Sequence, residues 1–347
     1  EAAGHDVLVL LRDYGCTEAL ADWQDLPYTV YGRCETTKSS LFRELPHHYV
    51  NIVRSVRDFD PDLVFGVGAY AAHAGFVSRT PAILVLDSEP TSLDHRVSCP
   101  FARALLTPRT FRKDLGRRHF VFDGFKESAY LHPSTFQPSE AVRGLLGVDA
   151  EERYAICRFN AFGSHHDVGH SGFTPAQRRE LLTTLAEDVT VFVSDEGADL
   201  DIADLPVRPF DLHPARLHDA LAEASLLVAD TQTMVTEAAL LGTPAVRSNS
   251  FVGDEDMGNF LTLERHDLVR NVADFDRVVD VATDLLAPGA EEAWRRRRDT
   301  FVAEQVDLTA LLEDVATQPD RLEDVAGLRR RAEQPTGFEP PPAAVDH

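Results

Sequence analysis

The sequence predicts an α/β protein made of two Rossmann-like domains with a cleft between them. Short apolar runs rich in β-branched residues alternate with longer segments of helical periodicity, a pattern typical of a parallel sheet covered by helices. This alternation occurs twice in the 347 residues. A stretch rich in proline and acidic residues, 132–152, lies between the two series, and the linker is predicted at 134–152. The domains are therefore expected over residues 1–133 and 153–317.

The N-terminal domain is predicted to contain a buried strand, "DVLVLL", at 6–11. A helix is expected at 39–59, where apolar residues recur at helical spacing and Ser39 or Ser40 can serve as the N-cap. The later apolar runs predict strands at 63–68, 82–87, 104–107 and 119–124.

The first residues, "EAAGH", have the pattern of a helix end, with Gly4 in the position that terminates it. A doubly wound domain usually opens with a strand and a loop before such a helix. We therefore expect roughly 25 to 30 residues of a first β-α unit, the usual size of such units, to be missing from this chain.

The C-terminal domain is predicted from a second series of apolar runs and helical patterns. Its strands are expected at 153–159, 189–195, 225–230 and 244–249, and the helices between them near 175–187, 214–223 and 232–241. Three closing helices, expected near 274–287, 290–305 and 308–317, are predicted to cross back onto the N-terminal domain. The acidic, proline-rich segment 318–347 is predicted to be a disordered tail.

The composition is strongly acidic, with a formal net charge of −23 and lysine only at Lys38, Lys113 and Lys126. Such a surface repels nucleic acid, which is excluded as a partner. Because the acidic residues are spread along the chain, the pattern favours adaptation to a high-salt cytoplasm over a specific cationic partner. Scattered cysteines and the lack of a signal peptide fit that compartment. No apolar run approaches the ~20 residues of a membrane span, and peripheral membrane contact and oligomeric state are left open.

The stretch "VADTQTMVTEAALLGTPAVRSNS" at 228–250 has the strongest functional pattern. A strand is expected to end at Asp230, and a helix to begin within Thr231, Gln232 and Thr233, whose free N–H groups can bind an anion. Glu237 lies about two turns in from this predicted helix start, on a face that can look back along it, where a carboxylate suits the two hydroxyls of a ribose. The competing interpretation is an ordinary crossover helix with an exposed glutamate.

The same stretch resembles the nucleotide-sugar site of the GT-B superfamily. It reads D-T-x-x-x-x-x-E-A-x-x-x-G-x-P from Asp230 to Pro244, similar to UDP-N-acetylglucosamine 2-epimerases and many glycosyltransferases. The resemblance implies a GT-B arrangement of the two domains, with the diphosphate at Thr231–Thr233 and the ribose hydroxyls at Glu237. The chain departs from the Ser-Gly-Gly of the epimerases at these three positions.

Over roughly residues 5–317, the chain also resembles domain-of-unknown-function family 354. The similar stretches are "FRKDLG" at 111–116, "AYLHP" at 129–133, "HDVGH" at 166–170, "DTQTM" at 230–234 and "RSNSFVG" at 247–253. The family has no settled reaction, so the resemblance bears on the fold more than on the activity.

A histidine-rich segment, "FNAFGSHHDVGHSG" at 159–172, follows the first strand of the C-terminal domain. Its side chains His165, His166, Asp167 and His170 permit metal binding, phosphate contact with acid–base assistance, or a loop that is held by its own polar groups. Because the segment is expected at the carboxyl end of a strand, phosphate contact is favoured, with His165 or His166 as the catalytic histidine. In the epimerases the equivalent loop carries a Gly-His-Arg motif.

Permanent positive charge near this loop is expected from Arg158, in the preceding strand. Arg247 is predicted to pair with a phosphate, and Asn249 and Ser250 are predicted to contact the substrate.

Candidate catalytic carboxylates of the N-terminal domain are Asp87 and Glu89, in "LDSEPTS" after a predicted strand. A base there can deprotonate an acceptor hydroxyl or a sugar carbon. Capping of a loop is the equally supported structural alternative. Lys126, Glu127 and His132 are further candidates for the lining of the cleft.

Together these features predict a metal-independent, GT-B-type glycosyltransferase that uses a nucleotide-sugar donor, an unidentified acceptor and no cofactor. The alternative is a UDP-sugar 2-epimerase, and the third hypothesis is a non-catalytic nucleotide-sugar-binding protein. The N-terminal domain is expected to hold the acceptor or the reacting sugar.

Overall fold

The computed structural model describes residues 4–33, 38–160, 171–197, 200–253 and 255–333. Over these ranges, parallel strands alternate with helices in both halves of the chain. The predicted fold class of two Rossmann-like α/β domains is therefore confirmed.

The first half contains two separate sheets. Its elements are β1 Val9–Asp13, α1 Thr17–Trp23, β2 Tyr28–Arg33, α2 Lys38–Phe59, β3 Val64–Gly66, α3 Gly68–Ser78, β4 Ala82–Val85, α4 Ser92–Ser98, β5 Ala104–Pro108, β6 His119–Phe122 and α5 Ser128–Leu131. Strands β1 and β2 form a parallel pair, whereas β3, β4, β5 and β6 are neighbours in a parallel sheet. The sequence prediction located the five strands other than β2.

The second half is organised around one six-stranded parallel sheet. Its elements are α6 Ala141–Leu146, β7 Tyr154–Phe159, α7 Pro175–Leu185, β8 Thr190–Asp195, β9 Arg208–Pro209, α8 Leu217–Glu223, β10 Leu226–Ala229, α9 Thr233–Leu241, β11 Ala245–Arg247, α10 Gly258–Arg265, β12 Arg270–Asn271, α11 Phe275–Leu285, α12 Ala290–Ala303, α13 Leu308–Thr317 and β13 Leu328–Arg330. The strand order is β12-β11-β10-β7-β8-β9.

This strand order places a topological switch point between β7 and β10. Chain connections run to one side from β7 through β8 and β9, and to the other side from β10 through β11 and β12. Apart from Arg158 in β7, the residues of the two central strands are apolar and buried, as expected for strands that helices cover on both faces. Ligands of doubly wound sheets bind outside the carboxyl ends of the strands at such a point.

The end of the chain packs against the first half. Leu308, Leu311 and Val315 of α13 share a buried cluster with Ile83 and Phe120 of the five-stranded sheet. Strand β13 then joins that sheet in the antiparallel direction beside β6. The prediction of a disordered tail from residue 318 therefore fails over 318–333, because Leu322, Val325 and Leu328 are buried in the same cluster; residues 334–347 lie outside the described residues.

The predicted linker contains a helix, α6, and contributes buried residues to the core. Residues Val142 and Leu146 of α6, together with Val148, are buried in the large core of the second half. The domain boundaries at 133 and 153 stay predictions. No helix in the described part of the chain is both long enough and apolar enough to cross a membrane.

Candidate active site

The switch point brings two segments of the sequence together. Ala229, the last residue of β10, pairs in register with Arg158 of β7. The residues that follow are therefore neighbours: Asn160 after one strand, and Asp230 to Gln232 before α9. These are the segments in which the sequence predicts the phosphate-side loop and the anion-binding helix start.

Asp230 holds this region together. One carboxylate oxygen accepts the N–H of Asn160 at 2.7 Å, and the other accepts the N–H of Phe173 at 3.3 Å. The side chain of Asn249, after β11, donates to the carbonyl oxygen of Asp230 at 2.9 Å. Burial raises the pKa of Asp230 to about 6, although these N–H groups and Arg178 act in the opposite direction.

A buried arginine, Arg178, adds further hydrogen bonds to the region around Asp230. The sequence analysis did not single out this residue. The Arg178 guanidinium donates to the carbonyl oxygens of Phe173 at 3.2 Å and Asn160 at 3.3 Å, and it also pairs with Asp195 at 3.2 Å. Its helix, α7, begins with a capping box between Thr174 and Gln177, which fixes the register of the arginine. The two described flanks of the histidine-rich segment are thereby tied down beside α9.

His165, His166, Asp167 and His170 lie outside the described residues, so their predicted roles stay predictions. The described residue Ser171 is held by Ser250, which bonds its N–H and its carbonyl oxygen at 3.0 Å each. Ser250 thus holds one flank of the loop, whereas Asn249 holds Asp230, and the predicted substrate contacts of both residues stay predictions. No group of three side chains suited to a metal occurs in the described ranges, which leave out these four positions.

The start of α9 has the features of an anion site. No side chain of a described residue caps its N-terminal turn at Gln232, so within the described ranges the first N–H groups of the nine-residue helix have no side-chain acceptor. The Oγ1 atom of Thr231 is buried and has no hydrogen-bond partner among the described residues. Gly242 ends the helix in the left-handed conformation at φ 83°, as its position before Thr243 and Pro244 predicts.

Glu237 is buried, not exposed, and its side chain is bonded across the cleft. Its Oε1 atom accepts the hydroxyl of Tyr130 at 2.9 Å and meets Nε2 of His218 at 3.1 Å. Tyr130 belongs to α5 of the first half, whereas His218 belongs to α8 of the second. The two rings lie 5.3 Å apart at 32°. Burial and the nearby carboxylates raise the pKa of Tyr130, which keeps its hydroxyl a donor.

Three charged side chains from the first half lie near this contact. Lys126 Nζ is 2.7 Å from Asp87 Oδ2 and 3.7 Å from Glu127 Oε1. Burial alone lowers the pKa of Lys126, but Glu127 and Asp87 outweigh it, so that pKa is raised. We call Asp87, Lys126, Glu127, Tyr130, His218 and Glu237 the cleft cluster. Sequence reasoning proposed Asp87, Lys126, Glu127 and Glu237, and missed Tyr130 and His218.

The second predicted base, Glu89, has a different environment. Both of its carboxylate oxygens accept the N–H of Gly258, at 3.2 and 3.3 Å, and Oε1 also accepts the N–H of Arg112 at 2.9 Å. Gly258 starts α10 in the second half, so Glu89 joins the two halves as a cap for that helix. Because its lone pairs are engaged and it is only 8% exposed, Glu89 fits a positioning role and Asp87 is the better candidate base.

Both predicted phosphate-binding arginines are already paired. Arg158 bonds Ser194 and Glu196 at the end of β8. Arg247 is fully buried, pairs with Asp256, and lies 3.6 Å above the ring of Phe260. Burial lowers the pKa of Arg247 to about 9. The buried position of the Arg247 guanidinium, beside Asp256 and Phe260, argues against the expected phosphate contact, which stays a prediction.

The burial of Glu127 leads us to expect that the free energy of unfolding depends on pH in a specific way. Its burial, helped by Asp87 and Glu237 and opposed by Lys126, raises its pKa from 4.5 to about 7. The folded state therefore holds this proton more tightly than the unfolded state. The resulting stabilisation is complete below pH 4.5 and is lost as the pH rises through 7.

We expect Glu127→Gln, which stays neutral, to lose this dependence. Relative to the parent protein, its free energy of unfolding should rise by about 2 kcal/mol between pH 5.5 and 8, because the parent loses roughly 1.5 pKa units of this stabilisation over that interval, at about 1.4 kcal/mol per unit. Urea denaturation at both pH values measures it. Glu292→Gln, at an exposed helix position beside Arg296, is the control and should show no such trend. Equal pH trends in the two variants would contradict the assignment.

Comparison with solved structures identifies the fold. The chain is similar to a putative UDP-N-acetylglucosamine 2-epimerase from Listeria monocytogenes, with 13% identity, TM-score 0.62, and 90% of this chain and 87% of that chain covered. A UDP-N-acetylglucosamine 2-epimerase from Neisseria meningitidis, bound to UDP-GlcNAc, aligns with 10% identity, TM-score 0.60, and coverage of 91% and 92%. Spinosyn forosaminyltransferase SpnP aligns with 14% identity, TM-score 0.60, and coverage of 91% and 92%.

These similarities show that the chain has the GT-B fold, as the sequence predicts. At such low identities the likeness concerns the fold and does not extend to a particular reaction. No family model matches the chain, and no curated protein matches it. Membership of domain-of-unknown-function family 354 therefore stays a prediction.

Proposed function

We propose that the protein is a metal-independent glycosyltransferase that binds a nucleoside-diphosphate sugar in the cleft between its two halves. The observation that carries this proposal is the uncapped start of α9 at the switch point, one turn before a buried glutamate. Helix N–H groups at such a point suit a diphosphate, and a carboxylate accepts the hydroxyls of a ribose. The solved structures with this fold include a UDP-GlcNAc 2-epimerase bound to UDP-GlcNAc and a forosaminyltransferase.

In this proposal Asp87 is the base. Its carboxylate takes the proton of the acceptor hydroxyl while the acceptor oxygen forms a bond to the anomeric carbon of the sugar. The bond from that carbon to the diphosphate breaks, and the negative charge that collects on the departing oxygen is stabilised by the N–H groups at the start of α9. Lys126, 2.7 Å from Asp87, holds the base in place. His165 or His166 is proposed to assist on the phosphate side.

A UDP-sugar 2-epimerase is the second candidate, and the pair Asp87 and Glu127 favours it. Epimerisation needs one group that removes a proton from the sugar and another that returns it. Both carboxylates contact the same ammonium group of Lys126, and the pKa of Glu127 near 7 lets that residue hold a proton at neutral pH. Incubation with UDP-N-acetylglucosamine alone separates the candidates, because isomerisation without an acceptor rules out a pure transferase.

The nucleotide site is tested through Glu237. We expect Glu237→Gln to weaken the binding of the preferred nucleoside diphosphate roughly tenfold, because a charged acceptor is worth about 1.5–3 kcal/mol to a hydrogen bond. Calorimetry with UDP, dTDP, GDP and ADP in molar KCl measures this. Tyr130→Phe is the matched control, because it removes one of the two contacts to Glu237 Oε1 and leaves the carboxylate in place beside His218. The affinity of this variant for the nucleotide should be equal to that of the parent or higher.

Two outcomes decide against these assignments. Full nucleotide affinity in Glu237→Gln refutes the ribose role of Glu237. Failure of the parent protein to bind any of the four nucleotides refutes the proposed function as a whole, including the epimerase alternative.

A further inference from the structure

A second concave surface lies on the first half, away from the cleft cluster. It is a groove of about 900 Å³ between the end of α3 and the returning chain that includes Pro319 and Arg330. Ala82, Arg103 and Phe120, at the amino ends of β4, β5 and β6, also line it. Asp87 and Lys126 follow the carboxyl ends of β4 and β6. The groove is therefore on the opposite edge of the sheet from the proposed active site.

The groove concentrates positive charge in an acidic protein. Its lining has twice as many arginines as carboxylates: Arg79, Arg103, Arg117, Arg118, Arg321 and Arg330 face Asp320, Glu323 and Asp324. The chain as a whole has a net charge of −23. Guanidinium groups that lie close together repel one another unless water or a bound anion screens their charge. A local excess of arginines in such an acidic chain therefore suits an anionic ligand.

Most of these arginines are not neutralised within the groove. Arg103 pairs with Asp320 at 2.6 Å, and Arg330 pairs with Glu323. The other four, Arg79, Arg117, Arg118 and Arg321, have no carboxylate within ion-pair distance in the part of the chain that the structure describes.

The position of Arg118 is fixed even though its charge is uncompensated. Its guanidinium donates to the carbonyl oxygens of Ala102 and, at 3.2 Å, of Pro100. These carbonyl oxygens are neutral, so they orient the guanidinium of Arg118 without cancelling its charge. The groove therefore has at least one pre-positioned cation.

Two exposed aromatic rings form the apolar part of the same lining. The side chain of Phe76 is 62% exposed and that of Phe101 is 37% exposed. Their rings meet edge to face, with centroids 4.9 Å apart. A pair of rings left in water beside a group of arginines gives the groove one charged side and one apolar side.

We propose that this groove binds a small phosphate ester, with the phosphate on the arginines and the organic part against Phe76 and Phe101. Guanidinium forks match phosphate oxygens in bidentate geometry. The groove is open to solvent, and its volume of about 900 Å³ is that of a site for a small molecule, which favours such a ligand over a bilayer. Because the wall of the groove includes the returning chain, the bound ligand bridges that chain to the end of α3.

The phosphate contact is tested by calorimetry with inorganic pyrophosphate at low ionic strength, in the presence of saturating UDP to fill the cleft. We expect Arg117→Ser with Arg321→Ser to weaken pyrophosphate binding tenfold or more. The matched control is Arg54→Ser with Arg277→Ser, two exposed arginines outside the groove, which change the net charge equally. Absence of binding to the parent protein, or equal weakening in both double variants, overturns the proposal.

The apolar contact is tested with phenyl phosphate. Phe76→Ser should weaken the binding of phenyl phosphate several-fold and leave the binding of inorganic phosphate unchanged. Equal effects on both overturn the assignment of the organic part.

Membrane contact is tested by sedimentation with phosphatidylglycerol vesicles. Vesicle binding that depends on Arg117 and Arg321, without pyrophosphate binding, overturns the small-ligand site in favour of membrane contact. If UDP does not bind, whichever of dTDP, GDP and ADP binds fills the cleft instead. If none of the four binds, the proposed function fails, but the comparison of the two double variants with pyrophosphate still decides on the groove.

Discussion

Gly258→Ala is expected to separate the two halves of the protein where α10 begins. A Cβ atom built on Gly258 comes within 1.8 Å of the carbonyl oxygen of Thr110 and 2.9 Å of its carbonyl carbon. The obstacle is backbone, which cannot turn aside as a flexible side chain does. Either α10 or the segment at Thr110 must move, and the hydrogen bonds from Gly258 to Glu89 are lost with that movement.

The cost of this substitution should be about 2–3 kcal/mol, the upper range for overpacking of a close contact. Urea or thermal denaturation measures the loss, and small-angle scattering should show a larger radius of gyration. Gly144→Ala is the matched control: Gly144 lies in α6, and a Cβ there meets nothing within 4 Å. It should be neutral or stabilising by up to about 1 kcal/mol, because alanine is the better helix residue. Similar behaviour of the two variants would contradict the interdomain contact.

Local patterns in the sequence were sufficient for the framework of this site. The apolar run of β7 and the segment from Asp230 to Pro244 could be interpreted without tertiary information, because strand burial, the helix start and its glycine stop are all encoded by adjacent residues. The same reasoning predicted that the flanks of the histidine-rich segment lie near α9. In the structure, Asn160 and Phe173 are indeed tied to Asp230.

The contacts between the halves could not be predicted in this way. Glu237 meets Tyr130, 107 positions away, and Glu89 meets Gly258, 169 positions away. Nothing in the local sequence distinguishes a glutamate that caps a distant helix from a catalytic base in a loop. The two carboxylates of "LDSEPTS" therefore look alike in sequence, although Asp87 faces Lys126 and Glu89 is engaged by backbone N–H groups.

Arg247 illustrates a second limit, because residue type indicates charge but not burial. An arginine at the end of a strand beside an anion site is expected to face that site. Instead it is buried against Asp256 and Phe260, and its Nε and Nη1 atoms have no partner among the described residues. Such an ion pair is sensitive to the loss of either partner, since the remaining charge stays buried.

We therefore expect Arg247→Met to destabilise the protein by about 3–5 kcal/mol, the usual cost of leaving one member of a buried pair uncompensated. Denaturant midpoints measure the effect. Arg270→Met is the control, because Arg270 also covers an aromatic ring and pairs with an aspartate, but its ion pair with Asp267 is exposed. That substitution should cost less than about 1 kcal/mol.

The double variant Arg247→Met with Asp256→Asn sharpens the test. Asparagine removes the stranded charge and keeps an oxygen to accept the N–H of Met257, which lies 2.8 Å from Asp256 Oδ1 in the structure. The double variant should therefore recover most of the lost stability.

A different result would support the phosphate-binding role that the position of Arg247 in the sequence predicts. In that case Arg247→Met keeps full stability but loses affinity for the nucleoside diphosphate. The two roles are separable because the buried pair acts on unfolding, whereas a phosphate contact acts on nucleotide binding.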